Sequence, residues 1–251
     1  MIEVANLTKR YGEFTAVHDL SFAVQAGEVM GLVGPNGAGK TTTLRCITGI
    51  IPPTLGTVRV AGVDLATDPV AAKRQLAFFP DEPRLFDHLT VEQHLNFVAR
   101  VYHVADWRDR AASILANLEL SDKRQAMPGE LSRGMKQKLV IACGLLHQPS
   151  VIIFDEPLTG LDPGGIRHMK ETMRRIAREG AAIILSSHLL SLLEEVCTHV
   201  LILKAGAKVA DGSIPAIRER FAVEPDASLE DVFFRATGDA ATNSASEPPK
   251  P

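Results

Sequence analysis

The sequence predicts an α/β fold, and three observations carry that prediction. Strand-like and helical patterns alternate along most of the chain, the pattern of helices packed around a central sheet. Val151–Phe154 is an unbroken β-branched and aromatic run, the composition of a strand buried on both faces of a parallel sheet. Between Val33 and Gly49 the pattern passes from strand through a glycine-rich loop to helix.

The elements follow in order. The first sixty residues hold short β-type runs at Ile2–Leu7, Leu20–Val24, Val29–Val33 and Thr57–Val60, punctuated by Gly12, Gly27 and Gly56. A further strand, Leu76–Phe79, ends at "PDEP". From Thr90 to Leu146 the pattern is helical. Thr90 with Gln93 forms a capping box, and Val91, Leu95, Val98 and Tyr102 recur on one helical face, followed by Ile114, Leu115 and Leu118 in the next segment. Ser132 is a good N-cap for a third helix that Pro149 stops. After Val151–Phe154 comes a helix with Pro163 in its first turn, Ile166, Met169, Met173 and Ile176 on one face, and Gly180 at its end. Ala182–Ser186 and His199–Lys204 read as strands. The last stretch, "GDAATNSASEPPKP" (238–251), is small, polar and proline-rich, the composition of a disordered tail.

Composition narrows the function classes. The chain has 251 residues, 45% hydrophobic and 23% charged, enough for a sizeable core. A net charge of −3 gives no reason to expect nucleic-acid binding, which calls for basic excess. Cys46, Cys143 and Cys197 are odd in number, widely spaced and set among apolar neighbours, so they read as reduced core residues of a cytosolic protein. No apolar run reaches the roughly 18–20 residues that span a bilayer, and the N-terminus has no signal-type apolar segment.

Chemistry enters at residues 34–41, "GPNGAGKT", which satisfy G-x-x-x-x-G-K-[ST] between a strand and a helix. Glycines let backbone N–H groups curl around phosphate oxygens, and the helix N-terminus adds a favourable dipole. Gly34, Pro35, Asn36, Gly37, Ala38, Gly39, Lys40, Thr41 and Thr42 therefore form the expected nucleotide cradle, with Lys40 on the β- and γ-phosphates and the Thr41 hydroxyl on Mg²⁺. A chance match somewhere in such a chain is on the order of 1%, and the strand–loop–helix setting lowers that further. This loop alone leaves kinases, small GTPases, motors and transporters open. The second element is "VIIFDE" at 151–156, an apolar strand ending in two carboxylates. Asp155 is suited to hold Mg²⁺, and Glu156 to orient and deprotonate the water that attacks the γ-phosphate.

With "GPNGAGKTT", "LSRGM", "VIIFDEP", "LTGLD" and "SSH" in that order, the chain resembles the ATP-binding subunits of ABC transporters, from the first strand to about residue 237. The first and third motifs are generic to P-loop enzymes; the others, so ordered, are specific to this family. The resemblance implies a P-loop NTPase (RecA-like) core with an antiparallel β subdomain, 1–80 and 150–237, and an inserted helical subdomain, 81–149. It implies Mg²⁺-dependent ATP hydrolysis in a head-to-tail dimer, either of this chain or with a related one. Each ATP is then capped in trans by Leu131, Ser132, Arg133, Gly134 and Met135 of the facing subunit, together with Asp162. A local N-cap role for Asp162 fits equally well. Tyr11 takes the position of the aromatic that stacks on adenine, and His188 that of the switch histidine on the γ-phosphate; with Glu156 and Lys40 it completes the catalytic set.

The partner implied is a separate transmembrane permease, faced by the loop "FFPDEPRLFDHLT", which places the subunit peripherally on the cytoplasmic face of the membrane. "LTVEQHL" and "SLEDVFFRATG" are similar to single-domain bacterial exporter subunits. Three positions depart from the family pattern. Asp81, a further metal-side candidate, replaces a Gln and so lacks an amide donor. Arg133 and Met135 replace a Gly and a Gln in the signature. A soluble ABC-type ATPase serving a non-transport process such as cluster assembly is the competing reading.

Overall fold

Two sheets share one central layer of helix and side chains. The computed structural model describes residues 1–158, 161, 163–221, 224 and 227–238. The larger sheet has six strands: β3 (Val29–Val33), β6 (Leu76–Phe79), β7 (Val151–Asp155), β8 (Ala182–Ser186), β9 (His199–Lys204) and β10 (Ala207–Ser213), in the order β10-β9-β3-β8-β7-β6. Every neighbour pair is parallel except the β9–β10 hairpin at one edge. The smaller sheet is antiparallel, ordered β2-β1-β4-β5, from β1 (Ile2–Tyr11), β2 (Phe14–Val24), β4 (Leu55–Val60) and β5 (Val63–Asp64). The strands expected at Ile2–Leu7 and Leu20–Val24 run on to meet at a tight turn at Gly12, which has φ 58°. Extended pairing across the hairpin gives the extra residues backbone partners that no local hydrophobic pattern announces.

Alternation across the large sheet builds two cores. Met30 and Leu32 of β3, with Ile184 of β8, point into a core shared with the small sheet and with α1 (Lys40–Ile47). Val29 and Val33, with Ile183 and Leu185, point the other way, beneath α5 (Arg133–Leu145), α6 (Pro163–Arg178) and α7 (Leu190–Val196). Burial on both faces explains the continuous apolar runs in these strands.

Between β6 and β7 the chain inserts α3 (Val91–Val101), α4 (Trp107–Asn117) and α5. The expected capping box at α3 forms: the Thr90 hydroxyl accepts from Gln93 N at 3.2 Å, and the Gln93 side chain accepts from Thr90 N at 2.8 Å. The inserted helices meet the sheet where Gly144 of α5 lies flat against Phe79, whose ring stacks on Phe154 with centroids 4.8 Å apart. A short α2 (Pro69–Arg74) precedes β6, and α8 (Ile214–Arg220) and α9 (Leu229–Thr237) close the described chain. The expected disordered tail lies outside the described residues beyond Gly238.

Candidate nucleotide and hydrolysis site

The glycine-rich loop leaves β3 at Gly34 and hands over to α1 at Lys40, as the strand–loop–helix pattern requires. Two of its glycines are demanded by space. A Cβ at Gly34 would sit 2.5 Å from the Leu203 carbonyl oxygen, and one at Gly39, itself at φ 98°, would sit 2.6 Å from that of Ala16. The loop is pinned from behind by the β9–β10 turn: Gly206 N donates to Ala38 O at 3.1 Å, and His18 N donates to Gly206 O at 2.8 Å. Asn36 and Gly37 remain exposed at the crest.

The Lys40 ammonium curls back over the loop, donating to Gly34 O at 2.5 Å and Pro35 O at 3.2 Å. Burial lowers its pKa, while the charges of Glu156 and Asp155 oppose that shift. Lys40 thus sits in the field of both carboxylates across the mouth of the loop.

Those carboxylates reach the same cleft by a backbone device. Successive strand residues point to opposite faces, yet Asp155 and Glu156 both line a cleft of about 580 Å³ with Thr41, Arg45, Asp81, Glu82 and Arg84. Glu156 lies just past β7 at φ 51°, a left-handed conformation that costs a non-glycine residue on the order of 1 kcal/mol and swings its side chain round. Its N–H is held by Ser186 O at 3.1 Å. The Ser186 hydroxyl donates to Asp155 Oδ1 at 2.6 Å, fixing the carboxylate from the neighbouring strand. Glu156 Oε2 in turn meets His188 Nδ1 at 2.8 Å and His188 N at 3.3 Å. His188 is exposed while Glu156 is half-buried, so the pair opens to solvent on the imidazole side.

The structure therefore brings together Lys40, Thr41, Asp81, Asp155, Glu156 and His188. Tyr11 lies apart at the end of β1, exposed beside Lys9, whose Nζ is 5.2 Å from the ring centroid. Of the signature stretch, Ser132 and Arg133 are exposed, with Ser132 capping α5 through Met135 N at 3.3 Å. Gly134 and Met135 are half-buried, and Leu131 is anchored in the core. Asp162 lies outside the described residues. Sequence reasoning missed Ser186 as the hydrogen-bond partner of Asp155. Its signal was the strand run "ILSS", which the parallel register sets directly beside Asp155.

A glycine-rich loop between strand and helix, a lysine folded over it, and a strand-end carboxylate pair facing it are the arrangement of a P-loop nucleotide hydrolase. The family model described as ABC transporter matches residues 17–159. The ABC-type transporter ATP-binding protein EcsA of Bacillus subtilis (strain 168) is 33% identical over 243 residues, 96% of this chain and 98% of that protein. The Nod factor export ATP-binding protein I of Burkholderia orbicola (strain AU 1054) is 36% identical over 220 residues, covering 87% of this chain and 72% of its own. A solved structure described as the ATP binding subunit of an ABC transporter superposes with a TM-score of 0.90 at 35% identity, covering 94% of this chain and 99% of that one. The chain belongs to the ABC transporter family, as an ATP-binding subunit that hydrolyses ATP in transport. The cluster-assembly alternative gives way to these transporter relatives.

Proposed function

We propose that this chain powers an exporter by binding and hydrolysing MgATP in a head-to-tail dimer, coupled to a separate transmembrane permease. The observation that carries the reading is the joint placement of Asp155 and Glu156 on the cleft that Thr41 lines, with Glu156 hydrogen-bonded to His188. ATP phosphates take the N–H groups of residues 34–41, and Lys40 leaves its loop carbonyls for the β- and γ-phosphates. The adenine stacks on Tyr11. Glu156 holds the attacking water and accepts its proton, while His188, on the other side of Glu156, contacts the γ-phosphate.

One hydroxyl and one or two carboxylates, completed by water and phosphate, suit Mg²⁺, and Thr41 and Asp155, with Asp81 alongside, supply that donor set. When bound, the ion neutralises charge on the phosphates. Ser132, Arg133 and Gly134 cap the nucleotide of the facing subunit, with Leu131 and Met135 seating the helix that presents them and Asp162 closing the interface.

Export is supported by relatives such as the Nod factor export protein. No helix among the described residues is long and apolar enough to cross a membrane, which fits peripheral attachment at the cytoplasmic face through the permease. The face for that permease is the loop after β6, where Phe86 is exposed and packs edge-on to Phe97 of α3 at 5.2 Å.

Glu156→Gln tests the reading. Turnover should fall about 10²–10⁴-fold, the usual contribution of a positioned base, while light scattering with ATP still shows a dimer. Wild-type turnover would remove Glu156 as the base; collapsed turnover with no ATP-dependent dimer would remove the pairing.

A further inference from the structure

The helix that follows His188 is gripped from two sides by two adjacent carboxylates. α7 has seven residues and begins at Leu190, directly after His188 and Leu189. A helix this short has no stability of its own, so tertiary contacts decide where it lies. Its apolar face, Leu192, Leu193 and Val196, is buried. Leu193 and Cys197 close on Gly31 of the central strand, where an added Cβ would meet them at 3.6 Å and 3.0 Å.

The polar side carries the grip. Glu195 accepts from Lys170 Nζ at 2.9 Å on both oxygens, and its carbonyl accepts from Arg174 Nη2 at 2.8 Å, both donors standing on α6. Glu194 faces the C-terminal helices instead. Its Oε1 pairs with Arg218 of α8, and its Oε2 accepts the N–H of Leu229, the first residue of α9, at 3.2 Å. One carboxylate thus joins α7 to α8 and caps α9 at once. Arg218 Nε is buried with no hydrogen-bond partner among the described residues, and the guanidinium is compensated through its pair with Glu194. At its far end α9 is tied to β9, where Lys204 donates to Thr237 O. Leu229 and Val232 are fully buried, so α9 is a packed wall of the fold.

We propose that the α8–α9 pair, acting through Glu194, is a positioning device for hydrolysis: it fixes α7 so that His188 meets Glu156 and the γ-phosphate. Glu194 is a positioning residue, about 1 Å of misplacement at a reacting group being enough to cost much of its rate. The proposal rests on the reading of His188 given above.

The test is a mutant cycle on the full chain with Glu194→Gln, His188→Ala and the double variant. Glutamine keeps an acceptor for Leu229 N–H and removes the charge that Arg218 needs. Glu194→Gln should lower kcat about three- to tenfold, with KM for ATP and the affinity for ADP unchanged. In the His188→Ala background it should add no further loss, because both changes act on one group. An unchanged kcat overturns the proposal, as does a joint fall of kcat and nucleotide affinity, or losses that multiply in the double variant. If His188→Ala turns over at the wild-type rate, the reading of His188 fails and the positioning role with it. If His188→Ala is impaired while Glu194→Gln is silent, only the positioning role fails. Should Glu194→Gln melt below the assay temperature, Arg218→Lys, which keeps the charge pair and loses the forked geometry, takes its place in the same cycle with the same outcomes.

Discussion

Two consecutive carboxylates serve one cleft here because a single torsion, φ 51° at Glu156, breaks the alternation of β7. Strain of this kind persists only where surroundings over-determine it, and Ser186 does so twice, through its carbonyl on Glu156 N and its hydroxyl on Asp155. A hydrogen bond to a charged group contributes about 1.5–3 kcal/mol. Ser186→Ala should therefore leave ATP binding without Mg²⁺ unchanged while raising the Mg²⁺ needed for half-maximal turnover about tenfold, as read by a Mg²⁺ titration of turnover. An unshifted titration would show that Asp155 needs no orienting. At this scale the sequence displayed Lys40, Thr41, Asp155 and Glu156 because their chemistry is tied to fixed spacing. It hid Ser186, Ala16 and Gly206, whose contributions arise from strand register and from backbone groups that any residue carries.

Among the elements, the junction between the inserted helices and the sheet depends on Gly144. An added Cβ would come 2.4 Å from Phe79, whose ring is already stacked on Phe154 and is 1% exposed. Alanine would gain about 1 kcal/mol in helix propensity, while overpacking costs about 1–3 kcal/mol; with the ring backed by Phe154, the second effect is the larger one expected. Gly144→Ala should lower the melting temperature by a few degrees, about 2–4 °C per kcal/mol at this chain length, and a raised value would show that Phe79 moves freely. The long elements were legible beforehand: the capping box of α3 and the periodic face of α6 announce themselves locally. α2, α7 and β10 were not, because elements of six or seven residues complete too few turns or alternations for a pattern to emerge. α7 is the costly omission, since it carries the approach to His188.

For the whole molecule, the packing around the sheet leaves no cysteine exposed: Cys46 and Cys197 are buried and Cys143 is half-buried. Burial pushes the Cys143 and Cys197 thiols up to about 12 and raises that of Cys46. The thiolate is the reactive form and a raised pKa favours the neutral thiol, so at pH 8 Cys143 and Cys197 stay almost wholly protonated. Native protein at pH 8 should react with no more than a trace of a thiol-specific disulfide reagent over minutes, and with three equivalents once unfolded in guanidinium. One fast-reacting thiol in the native state would contradict this burial. Their apolar neighbours foretold the burial of Cys46 and Cys197, while Cys143 is half-buried; the tying of the first motif to the far end of the chain was not foreseeable. The nucleotide loop is complete as text by Thr41, yet its back wall is Leu203 and Gly206. During synthesis the motif therefore emerges from the ribosome more than a hundred and fifty residues before the strands that shape it. A chain that stalls in between displays the loop without a fold to hold it, so nucleotide binding reports that translation has passed β9.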